Sequence, residues 1–113
     1  MQGLSIVIAA ADPERFRSAL ELAAAHAALD MPTRLFLQAQ AVPLLWAKSE
    51  AAAGLPSARE MLAEAMALGV KISACQSGLA LGAREASALP QGVETEGLLS
   101  FLAGRGEDQL LIV

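Results

Sequence analysis

The chain has one cysteine, one histidine and no cluster of basic residues. Each shortage removes a class of function. A single cysteine cannot close an internal disulfide, which fits a reducing compartment. His26 has no second histidine or thiol to join it, so no metal site is expected. A Cys–His nucleophilic pair is equally unsupported, because His26 lies on the first expected helix, far along the chain from the thiol. The 8 Lys and Arg stand singly against 12 Asp and Glu, a formal net charge of -4. A nucleic-acid binder would carry a basic patch, so no nucleic-acid partner is expected. No apolar run is long enough to span a bilayer, and Met1-Gln2 lacks the basic segment of a signal peptide. The expected location is the cytoplasm. Gly78 and Gly82 are not followed by the Lys-Ser or Lys-Thr of a phosphate-binding loop. Ala9-Ala10-Ala11-Asp12 stands where a dinucleotide site would place its glycines. No cofactor is expected.

What is present is a surplus of apolar residues. Of 113 residues, 55% are hydrophobic and 18% charged, which describes one globular domain over residues 1–113. So small a domain has too much surface to hide them all, and some should meet another subunit. Leu44-Leu45-Trp46 is a cluster with two readings, core packing or an oligomer contact.

The order of elements is legible. Leu4–Ala9 is nearly continuously apolar, the mark of a strand buried on both faces of a parallel sheet. Asp12-Pro13 suits an N-cap and first helical turn, which explains Asp12 better than catalysis does. Phe16, Ala19, Leu20, Ala23 and Ala27 then recur at helical spacing. Thr33–Gln38 reads as a second strand, and residues 40–46, around Pro43, as a short helix. Ala47–Gly54 has no period and reads as a loop. Ser57 and Glu60 fit a capping box ahead of a helix with Met61, Leu62, Ala65, Met66 and Leu68 inward. Val93–Thr95 is a weak strand candidate, Glu96–Ala103 a helix, and Gln109–Val113 a final strand. Such alternation implies βαβ units and a three-layer α/β sandwich of about five mostly parallel strands.

The chemistry concentrates at Leu68–Gly82. Gly69 fits the left-handed position past a helix end, and Val70–Ala74 alternates as a strand. Cys75 stands where that strand stops, Gln76-Ser77-Gly78 reads as a turn, and from about Leu79 a short helix follows over Ala80–Leu89, closed by Pro90-Gln91-Gly92. Open α/β sheets place reacting groups at the carboxyl ends of strands. A thiol there faces unsatisfied N–H groups, which favour the thiolate, although a lone cysteine is more often a small buried hydrophobe. Ser77 and the N–H groups near Gly78 are candidates to stabilise the anion, with Gln76 beside them. Lys71 is disfavoured because strand alternation turns it away.

Gly69-Val70-Lys71-Ile72-Ser73-Ala74-Cys75, with the opening strand, the Ala-rich first helix and the final strand, resembles the DsrE/DsrF-like family over almost the whole chain. The resemblance implies a DsrE-like, flavodoxin-like topology with helices on both faces, and assembly into trimers or hexamers. It implies Cys75 as a persulfide carrier, exchanging sulfur with a protein donor or acceptor thiol. In the family's relay subunits an Ala-rich helix ending in basic residues follows the cysteine. Here the first basic residue is Arg84, so steering of an anionic partner is expected to be weaker. Two other readings stand beside the sulfur carrier. One is an oligomeric binding or regulatory module with Cys75 structural, and the other is a thiol redox sensor.

Overall fold

The computed structural model describes residues 2–46, 54–82 and 84–113; the expected loop Ala47–Gly54 lies outside them except for Gly54. Strand β1 (Leu4–Ile8) is buried at every position, as its nearly continuous apolar run requires, Ser5 included. Helix α1 (Pro13–Ala28) starts on Asp12, whose carboxylate accepts the N–H groups of Glu14 at 2.9 Å and Arg15 at 3.3 Å. That accounts for Asp12 without a catalytic role. Strand β2 (Thr33–Leu37) leads into a tight 3₁₀ helix, Ala39–Leu45. Helix α2 (Ala58–Ala67) carries the expected capping box: Glu60 N–H donates to Ser57 Oγ at 3.1 Å, and Ser57 N–H to Glu60 Oε1 at 3.3 Å. Gly69 follows with φ +102°, the conformation that makes glycine the natural residue there.

Strand β3 (Lys71–Cys75) runs straight into helix α3 (Gln76–Leu81), then a 3₁₀ turn at Ala86–Ala88. Strand β4 (Glu94–Glu96), helix α4 (Leu98–Ala103) and strand β5 (Gln109–Ile112) complete the chain. The five strands form one parallel sheet in the order β4-β3-β2-β1-β5.

Parallel register and the two-residue pleat sort the side chains. Leu4, Ile6, Ile8, Leu35, Leu37, Ile72 and Ala74 share one face. Helix α1 packs on it, tied by His26 Nδ1 at 3.1 Å from Thr33 Oγ1, with α2 beside it. Ser5, Val7, Phe36, Ser73 and Cys75 share the other face, where α4 brings Phe101 into a stacked contact with Phe36, ring centres 5.0 Å apart. The expected α/β sandwich with helices on both faces is what forms.

The second face also holds a part-buried polar network around the buried Ser5. Ser5 Oγ donates to Asp108 Oδ2 at 3.0 Å and accepts from Arg34 Nη1 at 3.2 Å. Arg34 Nη2 donates to the Phe101 carbonyl at 2.6 Å while its guanidinium lies 4.1 Å above the Phe101 ring. Each polar group thus has a partner, which burial demands.

Two expectations change, and one open reading is decided. Leu68 is 42% exposed, because it caps α2 at the surface instead of extending the inward stripe of Leu62 and Ala65. The helix expected to begin near Leu79 begins at Gln76 and stops at Leu81, capped by Gly82, a weak helix former. Leu44 and Leu45 are buried in the chain's own core. Trp46 is likewise engaged internally: its Nε1–H donates to the Ala88 carbonyl at 2.9 Å, and Arg84 lies 4.7 Å over its ring.

Candidate functional site

Cys75 is both the last residue of β3 and the N-cap of α3. The sequence expectation of a loose Gln76–Gly78 turn is replaced by the first turn of a helix, for which Cys75 already has extended dihedrals, φ −65° and ψ 127°. With no turn to splay the chain, the cysteine is only 6% exposed. Two consequences follow for the sulfur. It loses solvent, and it gains the unpaired N–H groups that every helix start presents.

These effects oppose one another. Burial pushes the Cys75 thiol up, but the N–H groups of Ala39, Gly78 and Ser77, with the Ser77 hydroxyl, all favour the thiolate. The donors win, and the thiol titrates below its ordinary range. All four are neutral, so the anion is held by dipoles without a partner cation.

The sequence-derived site residues divide accordingly. Ser77 contributes twice, through N–H and hydroxyl, and Gly78 through its N–H. Gln76 is exposed and is not among the groups that set the thiol's titration. Strand alternation does not turn Lys71 away as expected: it shares the face of Ser73 and Cys75, and it is removed from the thiol because it is exposed at the opposite end of β3. The residue that sequence reasoning missed is Ala39. It arrives from β2, the neighbouring strand, and only the β2–β3 pairing brings it beside Cys75. Nothing in an alanine announces a backbone donor. The one retrospective signal is Gly78, which is buried where α3 meets the 3₁₀ helix: a Cβ there would lie 2.6 Å from the Ala39 carbonyl and would collide with Val42. Among the described residues, no group of three His, Cys, Asp or Glu is placed to hold a metal ion. No helix among them is long and apolar enough to cross a membrane.

The chain is thus a parallel α/β sheet with a shielded thiol at the carboxyl end of an inner strand. A DsrE/DsrF-like family model matches residues 3–103, and the chain belongs to that family. Among solved structures, the crystal structure of ychN protein from E. coli superposes with a TM-score of 0.72 at 22% sequence identity, each chain covered over 100% of its length. That similarity shows the fold. A search of curated proteins finds no match.

Proposed function

We propose that this protein is a sulfur carrier of the sulfur-relay type, with Cys75 as the atom that holds the cargo. One observation carries the reading: a shielded thiol ends the inner strand β3 and caps α3, where unpaired backbone N–H groups favour the thiolate. In the loading step, the Cys75 thiolate attacks the outer sulfur of a donor persulfide. A new S–S bond forms at Cys75, the donor's S–S bond breaks, and the donor leaves as a thiolate. In the release step, an acceptor thiolate attacks the same outer sulfur, and Cys75 leaves as a thiolate. No oxidant is consumed in either step. Low thiol pKa assists release, because a better-stabilised thiolate is a better leaving group. With one cysteine in the chain, both partners are external. The reading is tested by incubating the protein with a low-molecular-weight persulfide and measuring its intact mass. Addition of one sulfur atom, reversed by a thiol acceptor, is expected; an unchanged mass would contradict it.

A non-catalytic binding module is the second reading, favoured by the 6% exposure of Cys75. It differs in requiring no reaction at the sulfur.

Assembly belongs to the same proposal. Leu99 is 83% exposed on α4 and Ile112 is 66% exposed on β5, an edge strand with no charged side chain. The other edge, β4, carries Glu94 and Glu96, which discourage pairing. The proposed state is a homo-oligomer, a trimer or hexamer as the family resemblance implies. Light scattering behind size exclusion at micromolar concentration checks this, and a clean monomer would contradict it.

A further inference from the structure

The segment from Arg84 to Gly92, which carries the chain from α3 toward β4, is held along its length. Arg84 lies 4.7 Å over the Trp46 ring, and the Trp46 Nε1–H donates to the Ala88 carbonyl at 2.9 Å. Further on, the Val93 N–H donates to the Pro90 carbonyl at 3.1 Å, closing a turn in which Gly92 takes φ +93°. Gly92 comes so close to α2 that a Cβ there would lie 3.0 Å from Met66 Sδ. A fixed wall thus runs beside α2, and between the two lies an open trough of about 650 Å³. That volume falls in the range of small-molecule sites, about 300–1,000 Å³.

The trough is mostly apolar, with Leu62 and Met66 from α2 facing Trp46 and Pro90 across it. One charged side chain lines it, Arg59. Among the described residues, the Arg59 side chain makes no ion pair or hydrogen bond. Its neighbour Glu60 does not neutralise it, because the Glu60 carboxylate accepts the Ser57 N–H in the capping box. Arg59 also stands in the first turn of α2, where the helix dipole disfavours a cation and favours an anion. The hollow between α1 and α2 has the opposite character. Glu14, Glu21 and Glu64 line it, and its one cation, Arg17, donates to the Pro56 carbonyl at 2.9 Å. On a chain of net charge -4, the trough is thus a place where an apolar anion meets an unspent cation.

We propose that this trough binds a small apolar carboxylate, its hydrocarbon part against Leu62, Met66 and Trp46 and its carboxylate on the Arg59 guanidinium. The planar fork of a guanidinium matches a carboxylate. One cation balances one negative charge, which selects a carboxylate over a phosphate dianion. Cys75 does not line the trough, so this site is separate from the sulfur and independent of the carrier reading.

Trp46 is the chain's one tryptophan, so its fluorescence reports on the trough directly. The native protein is titrated with sodium octanoate, and with 1-octanol as an uncharged probe of the same chain length. Octanoate should change Trp46 emission saturably and bind about threefold more tightly than octanol, as an exposed charge pair allows. That advantage should narrow as ionic strength rises. Arg59→Gln should bring octanoate down to the affinity of octanol, and Arg59→Lys should restore part of the difference. Ala63→Phe should fill the trough and remove the response to both probes; Ala63, like Arg59, is exposed, so neither change disturbs the core. Cys75→Ser should bind octanoate as the parent does. A flat emission, equal affinities for the two probes, a salt-independent difference, or unchanged octanoate binding in Arg59→Gln or Ala63→Phe overturns the proposal. Loss of octanoate binding in Cys75→Ser overturns it too, by moving the ligand to the sulfur.

Discussion

Phe36→Ala is expected to destabilise the protein by about 3–5 kcal/mol, the range for deleting a fully buried aromatic ring. Phe36 is 0% exposed in β2, an inner strand of the sheet, and it stacks on Phe101 with ring centres 5.0 Å apart. Phe101 is the one buried residue of α4, with Leu98 packed part-buried against the core, so this stack is one of the contacts that hold the helix. The loss should weaken the hold on α4 as well as leave a cavity. Arg34 would lose its fixed partners there too, since it holds both the Phe101 ring and the Phe101 carbonyl. For a domain whose whole stability is on the order of 5–15 kcal/mol, this removes a large share. Urea denaturation at neutral pH measures it. A loss under roughly 1 kcal/mol would mean that α4 is held by something other than this stack.

The second large effect is chemical. Cys75→Ser should abolish sulfur loading outright, because an alcohol at this site is no nucleophile toward a persulfide without a general base. Its consequence for stability has a defined sign. The native state depresses the thiol's pKa, so between the native value and the unfolded value of about 8.5 the unfolded chain binds more protons. The stabilising contribution is fully present above the unfolded pKa and is lost as pH falls through the native one. The parent should thus gain stability over Cys75→Ser as pH rises through this window and show no such gain below it. Paired melting curves across the window check the direction. A difference independent of pH would mean that the folded protein holds thiol and thiolate equally.

Much of this architecture is legible in the sequence because its signals are local. The nearly continuous apolar run at Leu4–Ile8, the Asp12-Pro13 start, the Ser57/Glu60 box and Gly69 each specify an element from within a few residues. The site is legible only in part. Cys75 is visible as a lone thiol at a strand end, and Ser77 and Gly78 as candidate donors beside it, read as a turn and found in the first turn of α3. The extent of burial is not visible, because Gln76-Ser77-Gly78 has turn composition and tertiary packing overrides it. Ala39 is hidden for a deeper reason. Its contribution is a backbone N–H, and it reaches the sulfur across a parallel strand pairing that joins residues 36 positions apart. The Leu44–Trp46 cluster shows the converse limit: an apolar triplet does not say whether its own chain or another one covers it.

The pH profile of Cys75 alkylation in the native protein tests the central claim most directly, since sulfur loading and release both depend on a stabilised thiolate. Iodoacetamide should modify the folded protein with a half-maximal rate at a pH below that of a free cysteine, which titrates near 8.5 or so. A midpoint at or above that of the free thiol, or modification only after denaturation, would contradict the account and make Cys75 a structural residue.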